Sequence, residues 1–332
     1  MVSYHSAKHH RRWSMQFNRF CYLMVSMMMV FMVSTASAEE KKVIKWVGCG
    51  ISKLGFMQDL AKEYEKQTGL KIKLEGGGAT KGLRQVASGE SQLGGSCRLP
   101  IVLKKSDGTT YVSEQEEAIK IVPLGWDALV VLVHKDNHEI DSLTTEQLRD
   151  VLLGKITTWK QLGGKSDKPI NLYVRKGKIS GVGLTLRQQL FNNVDQEFAK
   201  TAKVLGSSGK IEKAVEKDTL GIAVSGISST RHRNVKILKL DNVEPTMENL
   251  KTAKYTLYRI LFLVAPRDYE SNPDIKAFID YALSIEGQKV IKKAGTLPYR
   301  MGIGLLRTAA SFEYLHNLDV IDQQGMYTLG GH

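Results

Sequence analysis

Three glycine-bearing loops hold the residues of this sequence best suited to chemistry. They are residues 48–52, 76–82 and 176–183, and each includes a hydroxyl: Ser52, Thr80 and Ser180. Glycine lets backbone N–H groups approach a ligand closely, and a helix N-terminus favours negative charge. Three such loops around one point would hold a tetrahedral oxyanion. A single one would say little, because Gly-Ser turns are common in any α/β protein.

Other chemistries fail on spacing. Residues 76–82 lack the G-x-x-x-x-G-K-[ST] order of a nucleotide-binding loop. Gly206-Ser207-Ser208-Gly209-Lys210 is two residues too short for it, and Gly302-Ile303-Gly304 has no glycine at the next required place. No G-x-S-x-G elbow exists, and His134, His138, His232, His316 and His332 sit near no obvious nucleophile. His134 and His138 are four apart, but the DNHEI context reads as a turn, so the pair belongs to the surface. No metal, cofactor or catalytic residue is expected.

Each loop needs a strand before it and a helix after it. Residues 43–47 read as a strand, and 55–67 place Phe56, Leu60 and Tyr64 on one helix face, stopped at Thr68-Gly69. A strand over 70–74, a helix over 83–87 and a strand over 91–95 lead to Ser96-Cys97-Arg98. Further on, 127–133 (DALVVLV) and 258–265 (YRILFLVA) are apolar enough for strands buried on both faces. Residues 144–153 form a helix with Thr144 as N-cap and Gly154 as stop. A strand at 170–174, helices at 184–192, 211–216 and 275–283, and a strand at 221–224 complete the pattern. Repeated strand–loop–helix units predict an α/β fold with a mostly parallel sheet. No low-complexity linker divides the chain, so two domains would have to be interwoven.

The chain has 332 residues and a formal net charge of +13. Residues 1–38 contain Lys8, Arg11, Arg12 and Arg19 but no acid, then an apolar run over 21–33, then Ala36-Ser37-Ala38. That order is a secretory signal peptide, with cleavage after Ala38. Its removal takes away four basic residues and leaves a net charge of +9. No block of consecutive basic residues interleaves with aromatics, so nucleic acid is not expected as a partner. The mature chain keeps two cysteines, Cys49 and Cys97.

A set of motifs resembles the periplasmic phosphate-binding protein family, the type II solute-binding proteins of ABC transporters. The motifs are Leu143-Thr144-Thr145-Glu146-Gln147-Leu148, Gly154-Lys155-Ile156-Thr157-Thr158-Trp159 and Leu162-Gly163-Gly164. Then come Glu244-Pro245-Thr246-Met247-Glu248-Asn249, Lys254-Tyr255-Thr256-Leu257-Tyr258-Arg259, Ser284-Ile285-Glu286-Gly287-Gln288 and Gly295-Thr296-Leu297-Pro298. They run in order from about residue 43 to 300 and are specific as a set. The resemblance implies two α/β lobes joined by two crossover strands, closing on a ligand by hinge motion. The crossovers would be 127–133 and 258–265. Lobe 1 would take 39–125 and 260–300, lobe 2 126–259. Residues 301–332, with Leu305, Leu306, Phe312, Leu315 and Leu318, would form an extension packed on lobe 1.

The family's ligand loops map onto Ser52 (or Ile51 by a one-residue shift), Gly78 and Thr80, Cys97 with Arg98, a cation from Arg175 or Lys176, and Ser180 with Gly181. The chain departs from the family pattern at three places. Cys97 stands where an Asp accepts a hydrogen bond from a protonated phosphate oxygen, Lys178 replaces an acid, and Val182 replaces a Thr. With Arg98 and Lys178 added, the cleft should attract an anion with less selectivity for phosphate. The implied function is a periplasmic, monomeric solute-binding protein that captures a small inorganic oxyanion such as phosphate for a membrane ABC permease. The alternative is a sensor or adaptor subunit of the same fold, and an exported hydrolase ranks third for want of a nucleophile–base pair. In the implied fold the strands before Cys49 and Cys97 are neighbours, which favours a disulfide between them in an oxidising compartment. Two separate thiols, or a paired-thiol site for a soft ligand, are the other readings.

Overall fold

The computed structural model describes residues 43–108 and 110–308. The signal peptide expected at 1–38 and the part of the C-terminal extension beyond 308 lie outside the described residues. Strands β1 (Val43–Gly48), β2 (Lys71–Gly76) and β3 (Leu93–Ser96) are parallel, with β1 in the middle. Between them run α1 (Gly50–Ser52), a π-helical turn Lys53–Met57 and α2 (Gln58–Thr68), followed after β2 by α3 (Ala79–Ala87). A small hairpin, β4 (Val102–Lys104) with β5 (Thr110–Val112), precedes the long strand β6 (Ile119–His134).

The strand β6 joins the two halves of the molecule. Its residues 119–128 pair with a later strand of the first half, and residues 129–133 pair with β10 of the second half. Its side chains are buried almost throughout. A strand of sixteen residues with only Lys120, Asp127 and His134 polar has almost no face to give to water, so it must be covered on both sides. The second half then follows: β7 (Ser142–Leu143), α4 (Thr145–Leu153), β8 (Asn171–Arg175), α5 (Gly181–Phe191), β9 (Lys203–Leu205), α6 (Ser208–Val215) and β10 (Gly221–Gly226). After α7 (Ile227–Thr230), β11 (Val235–Ile237), β12 (Lys239–Leu240) and α8 (Met247–Lys251), the chain returns through β13 (Tyr258–Pro266). It ends in α9 (Pro273–Leu283), α10 (Ile285–Lys293), β14 (Leu297–Pro298) and α11 (Leu305–Thr308).

The strand order β2-β1-β3-β13-β6-β10-β8-β9 makes a ten-stranded sheet, with β11 and β14 also on β6. This is the expected two-lobe type II arrangement. The first crossover is longer than the sequence suggested, and its pairing passes from one half to the other between Ala128 and Leu129. The second lies just before β13, where the Leu129 N–H donates to the Leu257 carbonyl at 2.9 Å. A bulge leaves Leu124 unpaired opposite Leu261 and Phe262, beside Pro123, which can offer the ladder no donor.

Local rules explain the ends. Thr144 forms a capping box with Gln147, and Gly154 closes α4 with φ of 74°. Helices α3 and α5 begin earlier than their apolar periodicity indicates, at Ala79 and Gly181, so the end of each expected loop is a first helical turn. Helix α3 lies directly on backbone: a Cβ on Gly82 would stand 2.7 Å from the Val47 carbonyl, and one on Gly48 2.6 Å from the Gly95 main chain. Leu305 is fully buried, and its carbonyl accepts from Tyr258 Oη at 3.2 Å. No helix among the described residues is long and apolar enough to cross a membrane.

Candidate functional site

The first loop leaves β1 at Gly48 and enters α1 at once. The N–H groups of Ser52 and Ile51 point at the Cys49 sulfur, and the Cys49 N–H bonds the Gly95 carbonyl at 3.0 Å. Ser52 is fully buried, and its Oγ has no hydrogen-bond partner in the protein. A buried hydroxyl without a partner is costly in a purely structural role.

The second loop is less open to ligand than its glycines suggest. The N–H groups of Gly77 and Gly78 are both spent on the Gly48 carbonyl, each at 3.0 Å. Gly78 has φ of 92° and caps α3. The Thr80 hydroxyl donates to the Ile179 carbonyl and accepts from Arg98 Nη2, each at 3.2 Å. Thr80 therefore links its own lobe to the loop of the other.

The third strand delivers Cys97 and Arg98. Arg98 is buried and fully engaged: Nη2 and Nη1 reach the Glu116 carboxylate at 2.7 and 2.9 Å, Nη1 also the Leu99 carbonyl, and Nε the Ile179 carbonyl at 2.9 Å. Burial opposes ionisation of Glu116, but these bonds overcome it and hold its carboxyl below the usual range. Arg98 is thus a neutralised brace between lobes rather than a cation offered to an anion. The expected disulfide is absent. Cys49 and Cys97 are free, buried thiols whose sulfurs lie 2.9 Å apart, a hydrogen-bond contact, whereas an S–S bond needs about 2.05 Å.

The fourth loop splits its charges. Arg175 is half-buried, donates from Nη1 to the Leu205 carbonyl at 3.2 Å, and places Nη2 3.6 Å from where a Cβ on Gly78 would stand. Burial lowers its pKa, while the fields of Cys97 and Cys49 act the other way. Lys176 is exposed and is not brought to the others. Lys178 does not add charge to the cleft, because it pairs outward with Glu197 at 2.7 Å and Asp195 at 3.4 Å. Ser180 caps α5 by accepting from the Gly183 N–H at 3.3 Å. A Cβ on Gly181 would come within 2.2 Å of Cys97 Sγ. The two lobes therefore touch where this glycine faces that sulfur.

Two functional candidates escaped the sequence reading. Arg259, buried on β13, donates from Nη2 to Asp127 Oδ2 at 3.0 Å, but its Nη1 is buried without a partner. The fields of Cys97, Asp127 and Cys49 outweigh burial and keep it charged. The signal was present: Asp127 and Arg259 are the charges at the starts of two otherwise apolar runs, and buried charges need partners. Arg259, Arg175 and the two thiols lie within one another's fields, next to the loop that carries the buried, unpartnered Ser52 Oγ. Among the described residues no group of three His, Cys, Asp or Glu could hold a metal ion.

The chain matches a family model described as a PBP superfamily domain over residues 36–286. It is 27% identical to the phosphate-binding protein PstS of Borreliella burgdorferi, over 55% of this chain and 67% of that protein. It is 26% identical to PstS of Pseudomonas aeruginosa, over 72% of this chain and 77% of the relative. A crystal structure of a putative phosphate ABC transporter substrate-binding protein with bound phosphate from Clostridium perfringens superposes with a TM-score of 0.64 at 24% identity. It covers 77% of this chain and 99% of that one.

Proposed function

The chain belongs to the PBP superfamily, and from that premise we propose that it is an exported solute-binding protein that captures a small oxyanion, phosphate or phosphate-like, between its lobes. It hands the anion to a membrane ABC permease and acts as a monomer in the periplasm. Its work is ligand-linked closure rather than bond-making. Lobe 1 comprises 39–125 and 260–300, and lobe 2 comprises 126–259. The relatives named PstS support phosphate as the ligand class.

The observation that carries this reading is the unpaired, buried Nη1 of Arg259. It lies in the field of both cysteines at the ends of β1 and β3, with Arg175 approaching from the other lobe. A guanidinium is the group best matched to an oxyanion. Ser52, Thr80, Ser180, Gly78 and Gly181 shape the pocket around it. Because Cys97 cannot accept a hydrogen bond as a carboxylate would, selection against fully deprotonated anions should be weak.

Thermal melting of the purified protein against phosphate, arsenate, sulfate and small carboxylates tests this. At a hundredfold excess over Kd a ligand should stabilise the protein by about 2.7 kcal/mol. Phosphate should shift the melt, with sulfate nearer to it than a carboxylate-gated site would allow. No shift with any tetrahedral oxyanion would overturn the reading.

A further inference from the structure

Two thiols in hydrogen-bond contact beside the proposed anion site are not explained by anion capture. Cys49 and Cys97 come from different loops, are 3% and 2% exposed, and their sulfurs are 2.9 Å apart. Neither offers a positive charge to an anion, so they contribute little to holding phosphate. Both face the lobe boundary, where Gly181 covers Cys97.

We propose that Cys49 and Cys97 form a second recognition element in this cleft, a dithiol that binds a trivalent thiophilic oxyacid of the arsenous acid type. Binding is a condensation without change of oxidation state. Each thiol forms one S–As bond and its proton leaves with one hydroxyl of As(OH)3 as water. The product is a dithiolate with one As–OH, plus two waters.

The spacing favours a pyramidal centre. Taking the Zn–S length of ~2.3 Å as the scale for such bonds, two sulfurs on a nearly right-angled centre stand about 3.3 Å apart, against about 4.6 Å on a linear ion. From 2.9 Å the first requires a few tenths of an ångström of opening. The charges favour an uncharged oxyacid over a cation, because the fields of Arg259 and Arg175 reach both sulfurs. Asp127, the carboxylate whose field reaches these groups most strongly among the described residues, is held by Arg259 and by the Ser228 N–H at 3.0 Å. The remaining As–OH needs hydrogen-bond partners, and Ser52 Oγ and Arg259 Nη1 are both buried and unpartnered.

Nucleophilicity is supplied locally. A hydrogen bond from Cys97, then the charge of Arg259 and the N–H groups of Ser52 and Ile51, outweigh burial and bring the Cys49 thiol down to about 7. Cys97 is pushed up in turn. One sulfur is thus ready to attack at neutral pH while the other keeps its proton.

The proposal rests on the reading of the cleft as a site that opens to admit solute. The test uses the purified protein reduced with a phosphine, sodium arsenite as probe, and phosphate and cadmium as comparisons. Arsenite should remain at one arsenic per chain after gel filtration, and X-ray absorption should find two sulfurs and one oxygen around it. Cys49→Ser and Cys97→Ser, each checked for a cooperative melt, should weaken retention at least a hundredfold. Cys49→Ala and Cys97→Ala serve if a serine variant does not fold. An arsenic surrounded by oxygen alone, retention by the double variant, or cadmium bound as firmly as arsenite would overturn the proposal. A phosphate shift without arsenite binding defeats this inference alone. Arsenite binding without any oxyanion shift defeats the anion-capture reading and leaves the dithiol site standing.

Discussion

Arg259 and Asp127 meet across the two longest strands, with Arg259 Nη2 and Nε donating to the same carboxylate oxygen at 3.0 and 3.3 Å. Both side chains are buried. Asp127 stands two residues before β6 begins its pairing with the second lobe at Leu129, and its second oxygen accepts from the Ser228 N–H, at the start of α7 in the second lobe. The ion pair therefore sits at the crossover, where both lobes depend on it.

Removing one partner of this pair should be severe. Arg259→Met leaves a buried carboxylate without its cation, and breaking a buried pair in this way costs about 3–5 kcal/mol. Urea unfolding measures it. A loss under about 1 kcal/mol would mean that water reaches Asp127 freely.

Arg175 and Lys176 are adjacent in sequence but should separate in function. Arg175→Ala should remove most of the oxyanion-induced rise in melting temperature, while Lys176→Ala leaves it nearly intact. Equal losses in the two variants would place the cation wrongly.

Gly181→Ala should impair closure, because its Cβ would stand 2.2 Å from Cys97 Sγ. Cys97→Ala removes that sulfur, so the double variant should close better on oxyanion than Gly181→Ala alone. Small-angle scattering with and without oxyanion reads the compaction. If the second substitution restores nothing, this contact does not limit closure.

The thiol pair should titrate in two widely separated steps. Cys49 falls from 9.0 to about 7, so its contribution to stability is full above pH 9 and is lost as pH falls through about 7. Cys97 is raised, so its contribution is present below 9 and is lost at higher pH. Ultraviolet thiolate absorbance should show one thiolate forming near pH 7 and no second below 9. Cys49→Ser should abolish the lower step, and a single joint step above 8 would contradict the assignment.

Acid should weaken the brace formed by Arg98 and Glu116. The Glu116 carboxyl is held below its ordinary 4.5, so its stabilisation is present above that pH and disappears as pH falls through the lower folded value. Glu116→Gln should flatten this part of the acid unfolding curve. An unchanged curve would assign acid sensitivity to other carboxylates.

Much of the frame was legible because its signals are local. Thr144 and Gly154 bound α4 where their cap chemistry predicts, and the two apolar runs became the strands that meet at the lobe junction. The site was legible only in outline. Gly77 and Gly78 look like donors to a ligand, yet a carbonyl nearly thirty residues earlier, that of Gly48, takes both N–H groups. Lys178 looks like a cleft cation until its outward acids, Asp195 and Glu197, are seen. Arg259 was missed because its partner lies 132 residues away. In each case a polar group's role is set by what competes for it, and competitors distant in sequence leave no local trace.

The main-chain contact between Gly48 and Gly95 has a consequence for how this site can change. Cys49 and Cys97 each follow a strand end, and those ends are joined backbone to backbone, with the Cys49 N–H on the Gly95 carbonyl and no side chain between them. The distance between positions 49 and 97 is therefore set by the frame and not by the sulfurs that occupy it. A substitution at either position thus changes the group presented while the backbone that presents it keeps its spacing. On the proposed reading of the cleft, ligand preference would then change through two residues while the frame around them stays as it is.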